Sequence, residues 1–380
     1  MNNAIDDLER IDWNFPNARS GNDTVHANTF FPGNFIPQIP SYLIQILSKP
    51  GDVVVDPFGG SGTTGIEASR LGRSALISDG SLAPVLIARG KLAIAAGALI
   101  PVRDRLADEL TWDGLCRSSD VGSNGEGADP ELDLWFHPTT LSELRYIWKM
   151  IERLPSDAHA AALPLFSDTL FACASPGNAK TRTGLARRHH WGWVADNVKP
   201  TALAPHSAAE IFRNKLSETS NIKADLVSSV AVEQADARQL PWGDQSADLI
   251  VTSPPYISMI DYVKSARLLY LWLGVPISQD QQSEIGARYK RFRQSSSEQY
   301  IREMMDCWAE MARVLKSGGF AAIVIGESRS HNGIALNSLS HLAQYLEPAW
   351  GPVQRKPSRR RVSDREGRES MEMIAVFRKP

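Results

Sequence analysis

The segment that most restricts the fold is GDVVVDPFGGSGTT, residues 51–64. Asp52 to Asp56 is a β-branched run with no polar face, as expected of a strand covered on both sides in a parallel sheet. Gly59, Gly60 and Gly62 supply a turn, and helical periodicity resumes from Thr63 to Leu71. A strand running through a glycine-rich turn into a helix opens a βαβ unit, and open α/β sheets bind ligands at such turns. The flanking sequence agrees: Ser41 to Lys49 reads as an amphipathic helix stopped by Pro50-Gly51, and a strand at Ser74–Asp79 is followed by a helix from about Leu82 to Ala95. Strands and helices alternating over short links imply a parallel sheet.

The alternation then breaks. Ser118 to Asp129 is Gly/Ser/Asp-rich and reads as a flexible loop, and Pro138 to Cys173 reads as helical. Alternation returns with strands at Val227–Val232, Ala247–Thr252, Phe320–Ile325 and Met373–Phe377. Helices are expected near Asp261–Leu273, Ser297–Leu315 and Ala335–Leu346. The expectation is one doubly wound α/β domain split by an insertion. Residues 1–100 are expected to hold an N-terminal segment and the first half of that domain, 101–225 a helical and basic insertion, and 226–380 its second half.

Composition excludes several classes. With 43% hydrophobic and 22% charged residues the chain is neither fibrous nor disordered, and no stretch approaches the ~20 apolar residues of a membrane span. The acidic, polar N-terminus MNNAIDDLERIDWNF does not read as a secretory signal. Cys116, Cys173 and Cys307 lack paired spacing, so neither a disulfide framework nor a metal site is expected, and a reducing cytoplasm fits. A net charge of −2 offers no global attraction to nucleic acid, which leaves any such binding to local patches.

The loop's chemistry narrows the ligand. Asp79 ends the second strand 23 residues after Asp56, the spacing at which an acid reaches ribose hydroxyls in nucleotide-binding βαβ units. The loop lacks the lysine of a phosphate-binding P-loop. Its acidic start would repel a pyrophosphate but suits a ligand with a cationic end. The bland alternative, a strand–helix turn without a ligand, leaves that acid spacing unexplained.

FPGNFIPQIP, then GDVVVDPFGGSGTT, then TSPPY at 252–256, resemble the S-adenosylmethionine-dependent amino-methyltransferases of DNA over about residues 20–100 and 225–380. The resemblance implies a doubly wound class I methyltransferase (Rossmann-like) sheet and S-adenosyl-L-methionine as cofactor. It assigns Asp56, Phe58, Gly60 and Gly62, with Pro57 and Thr63 of the same loop, to the methionine and ribose end, and Asp79 to the ribose. The stretch from His26 to Pro37, with Phe35 inside it, resembles the motif packed over the methionine moiety. Asp236 in QADARQLP matches the acid that contacts the adenine; a surface turn residue is the alternative there.

Thr252-Ser253-Pro254-Pro255-Tyr256 follows the apolar strand SADLIV. Two prolines fix φ and lack N–H donors, so their carbonyls are expected to project as unpaired acceptors. An exocyclic base amine is a poor nucleophile because its lone pair is delocalised into the ring. Acceptance of its two hydrogens by the Ser253 hydroxyl and the Pro254 carbonyl would stabilise the positive charge that develops on nitrogen. Tyr256 suits stacking on a base rotated out of the duplex. Carbon-5 methylation needs a cysteine nucleophile, usually placed after a proline, and none of the three cysteines is so placed. Serine at the head of the motif leans towards cytosine N4, since DPPY is usual for adenine N6, although the motif order departs from many cytosine-N4 enzymes. The rivals are adenine N6, an RNA amino-methyltransferase of the same fold, and a binding module that has lost catalysis.

Basic residues interleaved with aromatics suit phosphate contact and base stacking. Lys180, Arg182, Arg187, Arg188, Lys199, Arg213 and Lys215 lie between Pro176 and Leu216, with His189, His190, Trp191 and Trp193 among them. Arg288, Lys290, Arg291 and Arg293 form a second patch, and Arg355, Lys356, Arg359, Arg360 and Arg361 a third. A solvated charged face is the plain alternative for each patch taken alone. Trp135, Phe136 and His137 read as core. The expected partner is double-stranded DNA with its target base flipped out, with a companion nuclease fitting a modification system.

Overall fold

The computed structural model describes residues 7–8, 10–15, 24–27, 36–110, 130–174, 194–200, 202–222, 225–257, 260–290, 296–326, 328–329, 335–336, 355–363 and 369–380. Its helices are α1 (Gln38–Leu47), α2 (Thr63–Arg70), α3 (Leu82–Ala95), α4 (Arg103–Glu109), α5 (Pro138–Glu152), α6 (Ser156–Cys173), α7 (Ala208–Glu218), α8 (Tyr262–Ser265), α9 (Arg267–Leu273), α10 (Ser278–Ser283) and α11 (Ser296–Val314). The strands are β1 (Val53–Asp56), β2 (Ser74–Asp79), β3 (Val230–Gln234), β4 (Ala247–Thr252), β5 (Leu315–Gly326), β6 (Arg355–Ser363) and β7 (Glu369–Arg378). They form one seven-stranded sheet in the order β3-β2-β1-β4-β5-β7-β6. The pairs β1–β2, β1–β4, β2–β3 and β4–β5 are parallel, while β7 runs antiparallel to both β5 and β6.

The apolar run of β1 follows from burial on both faces. Val54 joins Leu249, Val251, Ala322 and Val324 in a cluster against Ile39, Leu43 and Ile44 of α1. Val55 joins Ile250, Ala321 and Ile323 on the other face, against Met304, Cys307, Trp308 and Met311 of α11. Strand order reverses between β1 and β4, so a crevice opens at their C-terminal ends.

Between α3 and β3 the described chain is helical. Ile94 and Ala95 of α3 pack with Leu144 and Ile147 of α5, Phe166 of α6 and Phe212 of α7. Trp135 and Phe136 are core, as expected, but His137 is not: it is partly exposed, and its Nδ1 accepts the Thr139 N–H at 3.3 Å to cap α5. The helical stretch 138–173 is two helices because Pro155, at the N-cap of α6, has no N–H to continue the first. The helix expected over 261–273 is likewise two, α8 and α9, meeting at Ala266.

Two further expectations are corrected. The strand expected at 227–232 starts at Val230, with Val227 at 68% exposure before it. Ala335–Leu336, expected to begin a helix, pairs instead as a two-residue antiparallel ribbon with Ser328–Arg329; residues 337–346 lie outside the described set. RKPSRRR, whose fold the sequence reading leaves open, lies in the edge strand β6. The Ser118–Asp129 loop and Cys116 lie outside the described residues. Among those described, no helix is long and apolar enough to cross a membrane.

Candidate functional site

Asp56 closes β1 and turns its carboxylate back into the loop. Its Oδ1 accepts the Phe58 N–H at 3.1 Å and the Thr252 hydroxyl at 2.6 Å, and its Oδ2 accepts the Thr64 hydroxyl at 2.6 Å. Burial raises the carboxyl to about 6 against the pull of those hydrogen bonds. Asp56 therefore braces the glycine loop against the last residue of β4, in addition to lining the cleft. The glycines hold the loop close to β2. A Cβ on Gly59 would lie 2.1 Å from Ile77 Cγ2, and Gly62, at the N-cap of α2, has φ +81°, a region that favours glycine. Asp79 ends β2, where Oδ2 accepts the Gly60 N–H at 3.2 Å and Oδ1 the Ser81 N–H at 3.0 Å. Burial lifts it to about 7, against those two donors.

Behind the loop lies a buried polar chain that the sequence alone does not reveal. Lys91, fully buried, donates to Ser61 Oγ at 3.2 Å and lies 3.4 Å from His26 Nδ1, while His26 Nε2 lies 3.0 Å from Glu67 Oε1. This ties the N-terminal turn Thr24–Ala27 to the loop. Phe35 lies outside the described residues.

Ser253, Pro254, Pro255 and Tyr256 leave the end of β4 beside that loop. Ser253 Oγ sits 3.5 Å from Tyr256 Oη, and Tyr256 Oη donates to Glu372 Oε1 at 3.3 Å. Burial and the neighbouring Glu372 hold the Tyr256 phenol well above its usual range. Its ring packs on Gly326, where a Cβ would lie 2.5 Å away. One expectation is corrected: the Pro255 carbonyl is not an unpaired acceptor, because Tyr300 Oη donates to it at 3.0 Å. Tyr300, on α11, and Glu372, on β7, belong to elements distant in sequence, which is why no local motif exposed them.

The far wall comes from the turn after β3 and from α8 and α10. Asp236 lines the cleft, but both its oxygens bond Arg238: Oδ1 to Nε at 2.9 Å and Oδ2 to Nη2 at 2.6 Å. Burial pushes Asp236 up, but these bonds outweigh it and hold the carboxyl below its usual range. Tyr262, Ser283, Glu284 and Ile285 complete the wall. The cleft encloses about 1010 Å³ including its open mouth, and Asp56, Phe58, Gly60, Thr63, Asp79, Asp236, Ser253 and Pro255 all line it. Among the expected cofactor and catalytic residues, Pro57, Gly62, Pro254 and Tyr256 are not part of its lining.

Some basic residues serve structure. Arg288 pairs with Asp196 and with Asp261, the latter at 3.3 Å. Lys290 is buried and donates to the Glu284 carbonyl at 2.5 Å, Lys215 pairs with Asp168, and Lys199 with Glu131. Lys180, Arg182, Arg187, Arg188, Trp191 and Arg291 lie outside the described residues. Cys173 and Cys307 are buried core residues, and burial raises the Cys173 thiol to about 12.

A family model described as DNA methylase matches residues 3–83 and 247–380. Type II methyltransferase M.MjaII of Methanocaldococcus jannaschii is 34% identical over 87 residues, 22% of this chain and 16% of that one. Type II methyltransferase M2.DpnII of Streptococcus pneumoniae is 44% identical over 59 residues, 14% of this chain and 22% of that one. M.PvuII of Proteus hauseri, also a type II methyltransferase, is 48% identical over 42 residues, 11% and 12% of the two chains. The matched part thus spans less than a quarter of each of these relatives. A SAM-dependent methyltransferase structure from Methanosarcina mazei aligns over 89% of this chain and 96% of that one at 10% identity, with a TM-score of 0.34. The methyl donor of the matched family is S-adenosylmethionine. The cleft fits it: carboxyls meet a cationic ligand rich in hydroxyls, and Phe58, Pro84, Ala237 and Ile285 offer apolar surface for a purine.

Proposed function

Because the chain belongs to the DNA methylase family, whose model matches more than half of it, we propose that it transfers a methyl group to the exocyclic amine of a DNA base, cytosine N4, within a type II modification system. The observation that carries this reading is the junction of the two loops. Thr252, immediately before Ser253-Pro254-Pro255-Tyr256, donates to Asp56 of the glycine loop at 2.6 Å. The groups suited to hold a methyl donor and those suited to hold an amine are therefore locked side by side, as in-line transfer requires.

When bound, S-adenosylmethionine supplies an electrophilic methyl group. Asp79 and Asp236, both in the cleft lining, accept ribose and adenine hydrogens in this reading. Ser253 Oγ and the Pro254 carbonyl accept the two amine hydrogens, which stabilises positive charge developing on nitrogen. Tyr256, steadied by Glu372 and Gly326, supports an extruded base. Serine at the head of the motif favours cytosine N4. Residues 101–225 serve as the target-recognition insertion. A cognate nuclease is the expected companion.

Transfer of labelled methyl from S-adenosylmethionine to duplex DNA, with RNA of the same sequence as comparison, tests this. Label on duplex DNA alone is the expected result. Label on RNA alone, or on neither, overturns the reading.

A further inference from the structure

Asp56, Asp79, Asp236 and Glu284 line the cleft, and among the described residues no Lys, Arg or His does. The first three already have hydrogen-bond partners on both oxygens. Glu284 differs. It follows α10 and is only 8% exposed. Its Oε1 accepts the Tyr262 N–H at 2.5 Å, which caps the start of α8, but its buried Oε2 has no hydrogen-bond partner. A buried acceptor left open calls for an explanation. The cap on the Tyr262 N–H engages Oε1, and a glutamine would supply that acceptor equally well.

We propose that Glu284 is a charge-selecting group of the cofactor cleft, favouring the sulfonium of the methyl donor over the neutral thioether left after transfer. This rests on the cleft being the S-adenosylmethionine site. In the reaction the methyl–sulfur bond breaks with its electron pair staying on sulfur, a carbon–nitrogen bond forms, and the methylated amine then loses a proton. The ligand thereby loses its sulfonium charge inside a cleft whose ionisable lining is acidic. A buried carboxylate gains from a nearby cation far more than a solvated one does. Glu284 thus holds the donor and loosens its grip on the product.

The surroundings agree. Burial raises the Glu284 carboxyl to about 8. The Tyr262 and Val263 N–H groups and Lys290 oppose this, and Asp261 adds to it. Tyr262, beside it, also senses Asp79 and Glu372. A cationic ligand favours the ionised form of this raised carboxyl, so its binding is coupled to release of a proton.

Calorimetric titration of the full chain with S-adenosylmethionine and with S-adenosylhomocysteine, in two buffers of different ionisation enthalpy, tests this on wild type and Glu284→Gln. The amide keeps the cap through its carbonyl oxygen, so the melting temperature is expected to hold. Affinity for the donor should fall about tenfold or more, the equivalent of one pKa unit of interaction. Affinity for the product should change by less than about threefold, and proton release on donor binding should shrink. Equal loss for both ligands, or no loss, overturns the proposal even if the variant melts lower, because the ratio of the two affinities decides. Wild type that binds neither ligand removes the cofactor reading, and the proposal with it.

Discussion

At the mouth of the cleft Asp79 is poised between two duties. It accepts the N–H groups of Gly60 and Ser81, and it faces a cavity whose ligand brings hydroxyls. Asp79→Ala is expected to weaken S-adenosylmethionine binding, since losing a charge-assisted hydrogen bond costs about 1.5–3 kcal/mol; unchanged affinity by calorimetry would remove the ribose assignment. Its titration gives a second reading. A carboxyl raised to about 7 keeps its proton when folded in a range where the unfolded chain has released it. The contribution of Asp79 to ligand-free stability therefore falls as pH rises from about 4 to about 7 and levels off above, by linkage. Asp79→Asn should make melting temperature less dependent on pH across that window, and an unaltered profile would contradict the raised carboxyl. Ser253→Ala separates chemistry from binding. Removing one preorganised acceptor should lower turnover ~10²–10³-fold while cofactor affinity holds, and full activity would leave the amine-polarising mechanism without its hydroxyl.

Elements read from period and punctuation matched the structure where one face pattern governed the whole segment. The helix expected at Leu82–Ala95 and the strand at Ala247–Thr252 have those limits in the structure. Misses arose where a neighbour decided. β6, RKPSRRRVS, has no alternating apolar face and takes its extended form from pairing with β7, the next strand of the chain. The polar helix α10 was likewise missed, and with it Glu284. Arg288 shows the same limit at a side chain: read as part of a phosphate-binding patch, it instead joins the turn before residue 291 to Asp261 and Asp196. Arg288→Ala should accordingly lower the melting temperature and leave the salt dependence of DNA binding unchanged. A flatter salt slope with normal stability would restore the patch reading.

For the whole molecule, the doubly wound order β3-β2-β1-β4-β5-β7-β6 places the glycine loop and the SPPY loop at adjacent strand ends. That both loops sit at strand ends was legible in the sequence, because both motifs directly follow apolar strands; the pairing of β1 with β4 that makes them neighbours was not. The partners that brace it, Thr252 on Asp56 and Tyr300 on Pro255, were not, because they depend on how β4 and α11 pack. With a net charge of −2 the molecule has no overall attraction for DNA, so affinity must be local. Arg187→Ala with Arg188→Ala should weaken duplex binding and reduce the log–log salt slope by about 0.9 for each phosphate no longer neutralised; an unchanged slope would move DNA recognition elsewhere in the chain. Methyl transfer to an exocyclic amine is tested most directly by nucleoside mass spectrometry of DNA from methylation-deficient cells expressing the chain. N4-methylcytosine that disappears with Ser253→Ala is the expected result. Carbon-5 methylcytosine, or DNA carrying no new methylated base, would contradict it.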